Sequence, residues 1–117
     1  MNDQQVGVER RKDALRRLVT FATPVESARA ELAGFGWDSD DELVSLTRAD
    51  ALRVLRRYAD GTLSADTVAE WAETIEGRDD VGREPGFEQQ LNDFLFEFAN
   101  PDLAGPLTPE RWIQAFS

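Results

Sequence analysis

Residues 87–100 read F-E-Q-Q-L-N-D-F-L-F-E-F-A-N. At 100° per residue, Phe87, Leu91, Phe94, Leu95 and Phe98 fall on one broad stripe, while Gln89, Asp93 and Glu97 lie outside it. No other segment concentrates so much aromatic bulk, and each Phe buried there contributes roughly 1.5–3 kcal/mol of apolar transfer. The spacing predicts a central helix on which the others pack. Phe96 projects nearly opposite the stripe, which leaves two readings: a helix buried on two sides, or an aromatic displayed to a partner.

The segments around it read as further helices. Upstream, Ser64 caps A-D-T-V-A-E-W-A-E-T-I-E and Gly77 terminates it, with Val68, Trp71, Ala72 and Ile75 on one face and Glu70 and Glu73 pointing away. Thr47, with Asp50 three residues on, starts a helix that ends at Gly61. It turns Ala51, Leu52, Leu55, Tyr58 and Ala59 inward and clusters Arg53, Arg56 and Arg57 outside. The short connection from Gly61 to Ser64 predicts an antiparallel hairpin of these two helices. Earlier still, a helix from about Val8 to Phe21 carries Ala14, Leu15, Leu18 and Val19, behind a tail of residues 1–7. Thr23-Pro24-Val25-Glu26 then predicts a capping box with Pro at the first helical position, the helix running to about Ala33. Pro101 ends the central helix, and Thr108-Pro109 opens a last one that fastens Trp112, Ile113 and Phe116 to the core.

Two stretches are less regular. Residues 78–86, R-D-D-V-G-R-E-P-G, read as a polar loop. Residues 37–48, W-D-S-D-D-E-L-V-S-L-T-R, begin with an acidic head that suggests calcium. It lacks the glycine and the ligand frame of an EF-hand loop, and Ser39-x-x-Glu42 is itself a capping box. Glu42 to Leu46 has the composition of a short strand but no convincing partner, so a helical or irregular connector is expected. The fold class is therefore an all-α, single-domain bundle of five to six helices over residues 1–117, with at most one short β-pair.

Composition narrows the function. At 117 residues with 31% charged and 41% hydrophobic side chains, the chain suits one soluble globular domain. No apolar run approaches the roughly 18 residues of a membrane span. The amino terminus has no apolar h-region, so a cytoplasmic location is expected. The formal net charge is −10, and residues 60–117 account for all of it: thirteen acidic side chains against Arg78, Arg83 and Arg111. Such a surface repels nucleic acid and anionic lipid and attracts basic proteins. It also keeps a protein soluble, with no further meaning.

Much chemistry is missing. With no histidine and no cysteine, the commonest general base and the thiolate and imidazole metal sites are excluded. No glycine-rich nucleotide loop occurs. Glu70-x-x-Glu73 and Glu76-x-x-Asp79 loosely resemble the E-x-x-E and E-x-x-D motifs of all-α nucleotide pyrophosphatases. That resemblance implies a magnesium-dependent nucleotide hydrolase, but in the family the motifs lie on separate helices, and one helix cannot fold four carboxylates round one ion. No metal or cofactor is expected.

A second resemblance covers roughly residues 37–103. W-D-S-D-D-E-L-V-S-L-T-R, then L-R-R-Y-A-D-G-T-L-S-A-D, E-W-A-E-T-I-E-G-R-D-D-V-G and F-E-F-A-N-P-D-L look like a group of small acidic bacterial proteins. In architecture and charge the chain is similar to the helical colicin and pyocin immunity proteins and to immunity partners of polymorphic toxins. The resemblance implies inhibition by binding, without catalysis: an acidic face covers the basic active site or groove of a toxin, most simply a nuclease. From charge geometry, the expected contact residues are Glu70, Glu73, Asp79 and Asp80 on and after the fourth helix. Asp93 and Glu97 form a second edge, and Trp37 and Phe96 are the aromatic anchors. A helical adaptor or regulatory subunit, whose acidic surface serves only solubility, is the remaining reading.

Overall fold

The computed structural model describes residues 3–35, 42–101 and 108–117. Within them, local signals set most of the helix ends. The Thr47 side chain accepts from the Asp50 backbone N–H, and the Asp50 carboxylate accepts from the Thr47 N–H, both at 3.1 Å. This capping box starts α3, Arg48–Ala59. The Glu84 carboxylate, 36 residues away, accepts from the Arg48 backbone N–H at 2.9 Å and occupies another orphan donor of the same terminus. Thr47→Ala is expected to cost about 0.5–2 kcal/mol, read as a lower urea midpoint at unchanged slope. An unchanged midpoint would show that Glu84 alone suffices. Ser64 caps α4, Ala65–Glu76, by accepting from Thr67, and Gly77 closes it.

Two helices precede these. In α1, Asp3–Val19, the helix takes in most of the expected tail. Its carboxyl end closes with paired bonds, Ala22 N–H to Arg17 O at 2.9 Å and Phe21 N–H to Leu18 O at 3.1 Å. That pattern puts the residue after the cap in the left-handed region, a place usually held by glycine. Here it is Phe21, at φ 54°. Arg57 holds it there, donating to the Phe21 carbonyl at 3.3 Å with its guanidinium 5.1 Å from the ring centroid. The turn shifts the next start by one residue. Pro24 is the N-cap of α2, Val25–Leu32, and no side chain caps that end. Thr23, expected to cap it, has a buried hydroxyl that meets no hydrogen-bond partner among the described residues. A 3-10 turn, Ala33–Phe35, follows.

Two more helices complete the set: α5, Glu88–Ala99, and α6, Pro109–Phe116. The described residues thus hold six α-helices and one short β-pair, an all-α bundle. Leu91, Phe94, Leu95 and Phe98 of α5 are all fully buried, as the stripe predicts, against Val68, Trp71, Ile75 and Leu55. Leu52, expected in that core, is only partly buried. Phe94 is the centre of a ring cluster, its centroid 6.1 Å from Trp71, 5.1 Å from Phe98, 5.9 Å from Trp112 and 5.6 Å from Phe116. Trp71 also donates from Nε1 to the Leu18 carbonyl at 2.8 Å, filling an orphan acceptor at the end of α1. The expected α3–α4 hairpin is a minor contact. Helix α4 packs chiefly on α5, and α3 chiefly on α6.

The connector and the polar loop turn out to be each other's partners. β1, Val44–Leu46, pairs in parallel with β2, Val81–Arg83, in the register Val44↔Val81, Ser45↔Gly82 and Leu46↔Arg83. Parallel strands need a crossover of a dozen or more residues, and α3 and α4 supply it. Leu43 N–H to Asp80 O at 2.8 Å and Glu84 N–H to Leu46 O at 2.9 Å extend the ladder at both ends. Leu46 and Val81 face the core. No helix among the described residues is long and apolar enough to cross a membrane.

Candidate functional site

The short sheet brings acidic residues from three places in the chain to one cleft. After α4, Arg78 and Asp80 turn inward and Asp79 outward. The cleft, about 540 Å³ and open to solvent, is lined by Glu42 before β1, Glu76 at the end of α4, Asp79, and Glu88 and Asn92 of α5. Gly82 on β2 allows Glu42 to fold down: its carboxyl group rests over the Gly82 Cα, where any side chain would sit.

Two arginines, Arg78 and Arg83, also line this cleft; Arg78 is turned to Asp80, and the bonds of Arg83 go mainly to the wall. Arg83 donates from Nε to Asn92 Oδ1 at 2.8 Å and from Nη1 to the Val81 carbonyl at 2.8 Å. Burial lowers its guanidinium below the ordinary value, with Glu76 and Glu42 opposing that shift. Burial likewise raises the Glu76 carboxyl above its ordinary range. Arg83 works against that rise, and the neighbouring Glu73 adds to it. The cleft thus holds more negative charge, from Glu42, Glu76, Asp79 and Glu88, than Arg78 and Arg83 offset.

Phe96 is the aromatic beside it. Its side chain is 53% exposed, and among the described residues only Val8 is another exposed large hydrophobic. It lies four residues after Asn92, one turn along the same face of α5, with Asp93 as a near neighbour on that face. Its exposure sets aside the reading of a helix buried on two sides at this position.

The other expected contact residues divide. Glu73, Asp79 and Asp93 are exposed, and Gln89 donates to Asp93 at 2.9 Å. Glu70 is half-exposed and ion-paired to Arg29 at 3.4 Å. Glu97 accepts from Trp112 Nε1 and lies 3.3 Å from Arg111, so it ties α5 to α6. Asp80 is not on the surface at all: it is fully buried. Arg78 donates to both of its oxygens at 2.8 Å, and Arg11 of α1 reaches Oδ2 at 2.8 Å from Nε and from Nη2. The doublet Asp79-Asp80 splits in the turn after α4, where Asp80 meets Arg78 and Arg11 and Asp79 faces solvent. Trp37 and the acidic run 38–41 lie outside the described residues.

The chain matches no family model, no curated protein and no solved structure.

Three carboxylates of the cleft are not among the expected contact residues, although Glu76 stands in the hydrolase-like motif and Glu42 in the acidic head. Glu76 carries a visible signal, three residues after Glu73 on the same helix. Glu88 carries only its place in the first turn of α5. Glu42 carries none, because β1–β2 pairing alone puts it beside Glu76. Among the described residues no group of three or more carboxylates converges so as to hold a metal ion. Glu70, Glu73, Glu76 and Asp79, on and after α4, belong to no metal-holding group, and Glu70 is engaged with Arg29.

Proposed function

We propose that this chain is a non-enzymatic protein-binding domain of the immunity type. It neutralises a basic bacterial toxin, a nuclease in the first instance, inside the cell that makes it. The single observation that supports this reading is the pairing of an exposed Phe96 with an acidic cleft one helical turn away. A depression with an excess of negative charge speeds the approach of an oppositely charged partner. A displayed aromatic then supplies the apolar contact that most often dominates binding energy. The contact set is Glu42, Glu73, Glu76, Asp79, Glu88, Asp93 and Phe96. Glu70 and Glu97 act less directly, because Arg29 and Arg111 already neutralise them.

The test begins with the protein retained by this chain from a native lysate at low salt, which is expected to be basic and to lose its own activity stoichiometrically as the chain is added. Reversing Glu73, Asp79 and Glu88 together to Lys is then expected to slow association by about tenfold or more at low ionic strength and to flatten its salt dependence. Phe96→Ala is expected to speed dissociation instead. An unchanged association rate and salt slope in the triple variant would mean that the acidic cleft serves solubility only.

A further inference from the structure

The outer face of α3 has chemistry opposite to that of α5. Ala49 and Leu52 form the floor of two adjoining shallow depressions. One, about 610 Å³, runs toward Phe116 of α6; the other, about 360 Å³, lies among Arg53, Arg56 and Arg57. Arg57 is committed to Phe21. Arg53 is 3.9 Å from Asp50 and its side chain is 57% exposed. Arg56 is exposed and makes no ion pair among the described residues. The smaller depression has an apolar floor and a cationic rim, in a chain whose net charge is −10, while the larger one is bordered by the Arg48–Glu84 ion pair. The smaller one fits an apolar side chain flanked by carboxylates.

The chain itself carries that chemistry. Phe96 is exposed on α5, with Asp93 three residues before it on the same face and Glu88 a further turn and a half back. We propose that the α3 groove of one copy receives the Phe96 face of a second copy. Phe96 lies over Ala49 and Leu52, and Arg53 and Arg56 meet the carboxylates of the incoming helix. An Arg at the groove edge can also stack on the ring. The contact joins two different patches, so two reciprocal contacts close a dimer, whereas single contacts propagate head to tail.

Net charge works against any such association, and its range decides whether it wins. At about 0.15 M salt the screening length is about 8 Å, well below the 47 × 29 × 23 Å extents of the chain. Repulsion between distant carboxylates is then largely screened, and the charges at the contact decide. Phe96 serves both this contact and the proposed capture of a basic partner, so the two exclude each other.

Sedimentation of the isolated chain tests the contact without any partner, so its result stands apart from the partner-binding reading. At about 0.15 M salt, self-association is expected in the micromolar to millimolar range. Arg53→Glu with Arg56→Glu, and separately Phe96→Ala, are each expected to weaken it by about tenfold or more. Arg10→Glu with Arg16→Glu makes the same change in net charge on exposed positions of α1 and is expected to have a much smaller effect. Circular dichroism checks that each variant is folded. Mixing the Arg53/Arg56 variant, which keeps Phe96, with the Phe96→Ala variant, which keeps the groove, is expected to restore a one-to-one complex. A wild-type chain that stays monomeric throughout, association that survives both variants, or a mixture that stays monomeric would overturn the proposal.

Discussion

Phe94→Ala is expected to lower the unfolding free energy by about 3–5 kcal/mol. Phe94 is fully buried on α5 and its ring touches rings from α4, α5 and α6. Truncation therefore opens a cavity where three helices meet, and aromatic walls cannot collapse into it without leaving their own contacts. A domain of this size typically has only about 5–15 kcal/mol of stability, so the variant is near its limit at room temperature. Urea unfolding followed by tryptophan fluorescence measures the loss, since Trp71 and Trp112 both border the site. Phe94→Leu, which keeps most of the volume, is expected to lose less. A loss below about 1 kcal/mol for the alanine variant would contradict a packed centre at Phe94.

Asp80→Asn is expected to cost a similar amount, about 3–5 kcal/mol, through charge instead of volume. The wild-type carboxylate lies between two guanidiniums inside the protein, with Arg78 3% and Arg11 14% exposed at the side chain. Removing the anion takes the shared carboxylate from a buried and a part-buried guanidinium, a larger loss than that of one hydrogen bond. Burial by itself would raise the Asp80 carboxyl, but the bonds and charges of Arg78 and Arg11 outweigh it and hold the group below its ordinary value of 3.8. A carboxyl depressed in the folded state contributes stability that is fully present above its unfolded value. That contribution is lost as pH falls through the folded value. The wild type should therefore lose stability steeply below about pH 4, and Asp80→Asn should lose less over the same interval because its share is already gone. Urea midpoints from pH 7 to pH 3 measure the difference. Parallel curves for the two proteins would show that the ion triad contributes nothing to acid sensitivity.

By itself the sequence determined the helices and the main buried stripe. The Thr47–Asp50 box, the Ser64 cap and the Gly77 stop each involve groups within a few residues of one another, so their geometry follows from local order. The stripe of α5 and the outward angle of Phe96 follow from helical periodicity alone. Tertiary structure decided the rest, because the deciding contacts span long stretches of chain. Val81 is the only large aliphatic side chain in R-D-D-V-G-R-E-P-G, and a three-residue strand has no period to read. Only pairing with Val44–Leu46, across α3 and α4, makes it a strand. That same pairing sets Glu42 beside Glu76 and builds the acidic cleft. Asp79 and Asp80 are chemically identical neighbours, and residue type alone does not separate them. Arg78, two residues before it, and Arg11, 69 residues away, together make Asp80 a buried anion and leave Asp79 for the surface, since a charge can be held inside only where opposite charges and hydrogen bonds replace the water it loses.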